Sequence, residues 1–215
     1  MQKTSTGLFI KTLSAVCLCL MLTHQAGAGT IVWSGVQNID LPWAGSLDVN
    51  IDLDLNGTDD FMIRRSGLDA WAYSLVVGNE FFCTINEDPK YRPASRPESV
   101  GVLIDDSPVD PNVWHDNPED HGQILLSFGN GYWDGADHQY MGVRFYGDAA
   151  LYYGWIEMSI EPDMPQNMTI HSWAYNSQPG VGLMAGVVPE PSTWALFLCG
   201  GIALLVRIRQ RRKSV

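Results

Sequence analysis

Cysteine is scarce. The 215 residues hold four, at positions 17, 19, 83 and 199, so between residues 29 and 188 Cys83 stands alone. No disulfide can close within that stretch, and its stability must come from core packing or bound ions. A lone thiol beside Phe81 and Phe82, with no histidine-bearing motif, reads as a small buried group and not as a nucleophile. Positive charge is short as well. Thirteen Lys+Arg against 24 Asp+Glu give a net charge of −11, and over residues 29–188 six cations face 23 acids, a net −17. Without a basic face there is no electrostatic hold on phosphate, which excludes nucleic acid as a partner. Catalytic signatures are missing too: no G-x-S-x-G, no H-E-x-x-H, no phosphate loop and no paired C-x-x-C. Gly180-Val181-Gly182-Leu183-Met184-Ala185 spells G-x-G-x-x-A but lacks the strand-to-helix setting that a dinucleotide site needs. A glycosidase needs no more than two well-placed carboxylates, which spacing does not reveal.

What is present is apolar and ring-rich: 46% hydrophobic and 11% aromatic residues suffice for one folded core. Between residues 29 and 186 the periodicity is two. Leu47, Val49, Ile51, Leu53 and Leu55 alternate with Asp48, Asn50, Asp52 and Asp54, the pattern of a half-buried strand. Runs at 31–36, 71–77, 80–85, 100–104, 123–128, 139–146, 151–160 and 168–175 are rich in Val, Ile, Tyr, Phe and Trp, and Gly, Pro, Asn and Asp break them. About nine short strands and no soluble helix predict an all-β fold, an antiparallel β-sandwich with a hairpin turn at Gly147-Asp148.

The most specific polar constellation is Asp52-Leu53-Asp54-Leu55-Asn56-Gly57-Thr58-Asp59-Asp60. Calcium takes six to eight oxygens, and a D-x-D-x-N-G-x-x-D spacing wraps several around one point. The side chains of Asp52, Asp54, Asn56 and Asp60 and the carbonyl of Thr58 are the expected ligands. Ile63 at the twelfth loop position departs from an EF-hand, and a plain Asn-Gly hairpin with solvated aspartates is the alternative. Residues 105–122 form a long Pro- and acid-rich segment in which His115, Asp116, Asp120 and His121 offer a weaker metal set. Among eight tryptophans, Trp155 and Trp173 sit in strong strand runs and are expected in the core. Trp114 and Trp133 fall near loops and are the candidate contacts for a sugar.

Both ends carry address signals. Lys3 and Lys11, an apolar run from Leu13 to Leu22 and Ala26-Gly27-Ala28 have the anatomy of a secretory signal peptide over residues 1–28. Residues 187–215 begin with Val188-Pro189-Glu190-Pro191-Ser192. An apolar stretch from Trp194 to Val206 follows, then Arg207, Arg209, Arg211, Arg212 and Lys213. Thirteen apolar residues at 1.5 Å rise fall short of a hydrocarbon core of about 30 Å, but flanking cations that snorkel and an interfacial Trp194 favour a transmembrane helix with its C-terminus inside.

This three-part tail resembles the PEP-CTERM sorting signal of exported bacterial proteins. The resemblance implies recognition by an exosortase, a membrane-embedded cysteine transpeptidase that cuts near Pro-Glu-Pro and passes its substrate to the cell surface or extracellular matrix. Gly142-Val143-Arg144-Phe145, Tyr153-Gly154-Trp155, Trp173-Ala174-Tyr175 and Ala185-Gly186 also resemble strands that precede the signal in that class, so the likeness covers about a third of the chain. The expectation is a non-enzymatic, exported, transiently membrane-anchored protein, structural or adhesive and calcium-stabilised. Its expected partners are exosortase, the membrane and extracellular polysaccharide. A carbohydrate-binding module and an extracellular polysaccharide hydrolase are the alternatives.

Overall fold

The computed structural model describes residues 30–84, 94, 95, 97–107, 112–116, 123–126, 132–163 and 166–189. From Ile31 onward they belong to one compact unit. The expected signal peptide, the apolar stretch Trp194–Val206 and the Arg-rich cluster lie outside the described residues. Within them the protein is all-β, with antiparallel sheets and no helix. The strands are β1 (Ile31–Trp33), β2 (Ile39–Leu41), β3 (Ser46–Ile51), β4 (Phe61–Ser66), β5 (Asp69–Ser74), β6 (Glu80–Thr84) and β7 (Ala94–Ser95). After them come β8 (Leu103–Ile104), β9 (Asn112–Asp116), β10 (Gln123–Leu126), β11 (Gln139–Gly147), β12 (Ala150–Ile160), β13 (Met168–Asn176) and β14 (Leu183–Met184).

An eight-stranded sheet runs β1-β13-β12-β11-β6-β7, with β2 also on β13 and β9 also on β6; a four-stranded sheet runs β10-β5-β4-β3, and β14 pairs with β8. One buried cluster draws on both larger sheets. Ile51, Phe61, Ile63, Ala70 and Ala72 from the smaller sheet join Phe81, Cys83, Met141, Val143, Phe145, Ile156, Met158, Ile160, Met168 and Ile170 from the larger. Burying each large apolar side chain stabilises the fold by about 1.5–3 kcal/mol. A second cluster, of Ile104, Tyr140, Tyr153, Trp155, Ala174, Leu183 and Ala185, covers part of the other face of the large sheet. Strand β12 is therefore covered on both faces over Tyr152–Ile156, which is why its sequence reads as a continuous apolar run instead of alternating.

Three expectations shift on inspection. The alternating run 47–55 is strand only to Ile51; Leu53 then turns into the core, while Leu55 is exposed at φ 62°. The β11–β12 hairpin pairs Gly147 with Ala150, so its two turn residues are Asp148 and Ala149, at φ 48° and 61°. Two left-handed residues make the mirror-type turn that matches strand twist, and the chain builds it without glycine at either position. The long segment 105–122 contains β9, whose Asn112–Asp116 lie against β6.

Candidate metal centre

The loop between β3 and β4 is fixed at both ends before its carboxylates meet. Leu53 is 1% exposed and joins the core cluster to which both larger sheets contribute. A Cβ added to Gly154 of β12 would stand 3.0 Å from Leu53 Cδ2 and 2.6 Å from the Ala174 carbonyl, so glycine is what lets the loop and β13 approach that strand. At the far end the Asp60 amide donates to the Ile51 carbonyl at 2.9 Å, and the Leu75 amide donates to the Asp60 carbonyl at 2.9 Å.

The side chains Asp52, Asp54 and Asp60 each bring a carboxylate oxygen to within 4.8 Å of the others. Asp52 accepts the Asn56 and Gly57 amides at 3.1 and 2.7 Å, and Gly57 turns the chain at φ 89°. Asp54 accepts the Asn56 amide at 3.2 Å and its Nδ2 at 3.0 Å. Asp60 is 3% exposed; its Oδ2 accepts the Leu53 amide at 2.9 Å and its Oδ1 accepts Asn79 Nδ2 at 3.3 Å. Of the other two expected ligands, Asn56 Oδ1 accepts the Thr58 amide at 2.8 Å.

The electrostatics disfavour charge on two of these carboxyls. Burial, with Asp54 and Asp52 adding to it, pushes Asp60 up to about 6 against the Leu53 and Asn79 hydrogen bonds. Burial raises Asp54 as well, and Asp52 contributes. Both carboxyls thus ionise less readily than a free aspartate, an effect that a divalent cation between them would reverse. The donors are all hard oxygens, the set that suits calcium or magnesium and not a soft transition metal. The spacing in the sequence identified these carboxylates, but not what encloses them. Asn79 bridges from Asp60 to the Tyr146 amide, which it accepts at 3.0 Å, and Gly147 stands so close that a Cβ there would lie 2.9 Å from Asp54 Oδ2. Burial first, then Asp54, raises the phenol of Tyr175. The signal for Asn79 is a polar residue next to Gly78 just before a strand; nothing in the sequence ties Tyr175 to this loop.

The remaining candidates fall elsewhere. Trp133 stands in the turn 132–135, but the candidate sugar contact is fully buried and donates its indole N–H to the Ser95 carbonyl at 3.0 Å, so it has no face to offer a sugar. Trp114 is half-buried on β9. The Arg144 guanidinium lies 4.8 Å from its ring, Phe82 and Tyr153 pack at 5.2 and 5.9 Å, and its N–H donates to the Asp105 carbonyl at 3.0 Å. Trp155 and Trp173 are buried, at 1% and 8% exposure. His115 lies on β9, whereas Asp120 and His121 fall outside the described residues. Val188 and Pro189 are exposed; Glu190, Pro191 and Ser192 fall outside. Among the described residues no helix is long and apolar enough to cross a membrane. No protein-family model, no curated protein and no solved structure matches the chain.

Proposed function

We propose that this is an exported structural protein of the cell surface or extracellular matrix, a calcium-stiffened antiparallel β-sandwich delivered by a PEP-CTERM tail. The observation that carries the calcium reading is the buried Asp60 carboxylate gathered with Asp52 and Asp54 in a loop that docks on the β11–β12 hairpin. The sandwich is supported by the single core to which both larger sheets contribute. An ion at that point would tie the β3–β4 loop to the large sheet, so binding would appear directly as fold stability. Asp52, Asp54 and Asp60 would hold it, with Asn56 and Thr58 completing the shell. The ion's chemistry here is charge neutralisation.

The test is thermal unfolding with and without calcium. At a concentration a hundredfold above Kd, a ligand bound only by the folded form adds about 2.7 kcal/mol, or roughly 5–10 °C for a chain of this size. Terbium in place of calcium should also luminesce under tyrosine excitation, because Tyr175 adjoins the carboxylates. Asp52→Asn should abolish both effects. An unchanged melt together with dark terbium removes the ion.

A further inference from the structure

Three backbone irregularities meet on one patch of the large sheet's outer face. In β13, Ser172 pairs with Glu157 and Ile170 with Met158, which leaves His171 as the extra residue of a bulge. The bulge brings His171 and Ser172 together on the outer face, where Ser172 Oγ donates to Glu157 Oε2 at 2.6 Å. Asn38 and His138 both stand in the left-handed region, at φ 49° and 48°. Such costs cluster where a side chain must be aimed.

What they aim is a relay. Ser159 Oγ of β12 lies 2.8 Å from His171 Nε2, and His171 Nδ1 lies 3.1 Å from Asn38 Oδ1. An amide oxygen accepts and does not donate, so Nδ1 carries the proton and Nε2 turns its lone pair to the serine hydroxyl. The His138 amide donates to Ser159 Oγ at 2.9 Å, which favours charge developing on that oxygen. Asp137 Oδ1 competes for the hydroxyl proton from 3.3 Å, the longer contact. The His138 ring stacks on His171 at 4.0 Å and holds Glu157 Oε1 at 2.8 Å through Nδ1.

We propose that Ser159, His171 and Asn38 form an acyl-transfer site for esters, with Ser159 as nucleophile, His171 as general base and Asn38 as the positioning residue. Ser159 Oγ bonds to the acyl carbon while its proton passes to His171 Nε2. The ester C–O bond breaks and the leaving alcohol takes that proton. Water then gives its proton to His171 Nε2 as its oxygen bonds to the acyl carbon; the Ser159 Oγ–acyl bond breaks, the acid leaves, and Oγ takes the proton back from His171. The proposal rests on the sheet geometry alone and is independent of the calcium and sorting readings. An open sheet face does not exclude water, so the expected activity is slow and suits esters carried on an exposed polymer.

The probes are a fluorophosphonate and p-nitrophenyl acetate, applied to the full-length chain. The expected result is a phosphonyl adduct on Ser159, located by peptide mass spectrometry and absent from the urea-unfolded chain. His171→Gln should slow adduct formation and ester hydrolysis about a hundredfold. Burial and the neighbouring His138 hold His171 below the usual histidine value, with Glu157, Asp137 and Asp40 acting in the other direction, so the activity should persist below pH 6.5. Asn38→Asp, in the exposed segment just before β2, should keep the fold and move the acid limb of the pH profile upward, since a carboxylate on Nδ1 makes the ring more basic; a merely structural residue would leave the limb in place. No Ser159 adduct above the unfolded control, or an equal rate in a folded His171→Gln, overturns the site.

Discussion

Asp60 carries an acid into a place where water cannot follow, and its titration therefore couples to folding. With its folded value near 6 against an ordinary 3.8, the folded chain keeps a proton that the unfolded chain has already released between those two pH values. The stabilisation is complete below about pH 4 and is lost as pH rises through 6; by linkage it is worth about 3 kcal/mol. In chelator the melting temperature should fall across that window, and Asp60→Asn should flatten the fall. Calcium should restore stability above pH 6 and do little at pH 4.5, where the proton already occupies the site. A calcium increment of equal size at both pH values would contradict this coupling. Cys83 is the opposite case among single residues: burial pushes its thiol well above the usual range, in keeping with a packing role in the core.

At the scale of the element, Gly154 decides how closely β12, β13 and the acidic loop can meet. Its missing Cβ would collide with the Ala174 carbonyl, a backbone atom in the central ladder that has no freedom to yield. Gly154→Ala should destabilise by about 1–3 kcal/mol, read as a lower denaturant midpoint with the slope unchanged. If Leu53 is displaced with it, calcium affinity should fall in the same variant. The strands around this glycine were legible in the sequence because β11, β12 and β13 are long and rich in β-branched and aromatic residues. Strand β4 was not, because Arg64 and Arg65 interrupt its alternation with two cations. The ladder resolves that conflict by pairing exposed Arg64 with Asp48 of β3 at 2.7 Å and turning Arg65 inward to donate to the Gln166 carbonyl. Trp133 misled for a different reason: it does stand in a turn, as its place near a loop suggested, yet its indole packs inward, where a bulky ring stabilises most. The carboxylate spacing was local and could be read directly. The Ser159–His171–Asn38 relay could not, since its members lie 12 and 133 residues apart and meet through a bulge with no sequence signature.

For the molecule as a whole, the last close packing among the described residues is at Gly186. A Cβ there would sit 2.8 Å from Val100 and 2.9 Å from the Tyr140 ring, whereas Val187, Val188 and Pro189 are exposed. A peptide-cutting enzyme at the membrane needs backbone that is extended and free of ladder hydrogen bonds, and Pro189 and Pro191 disfavour both helix and central strand. The strongly acidic body works in the same direction. A net −17 over residues 29–188 would repel the domain from an anionic membrane surface and leave the Arg-rich tail as the electrostatic hold there. In a host that makes the sorting enzyme, the wild-type chain should therefore be recovered outside the membrane fraction without its Arg-rich end. Replacing Pro189, Glu190 and Pro191 together with alanine should leave the chain full-length and membrane-bound, with the melting temperature of the body unchanged. Mass spectrometry of the mature termini from both strains reads the outcome. An intact wild-type C-terminus, or identical processing of the variant, would show that the tail is a plain anchor and not a sorting signal.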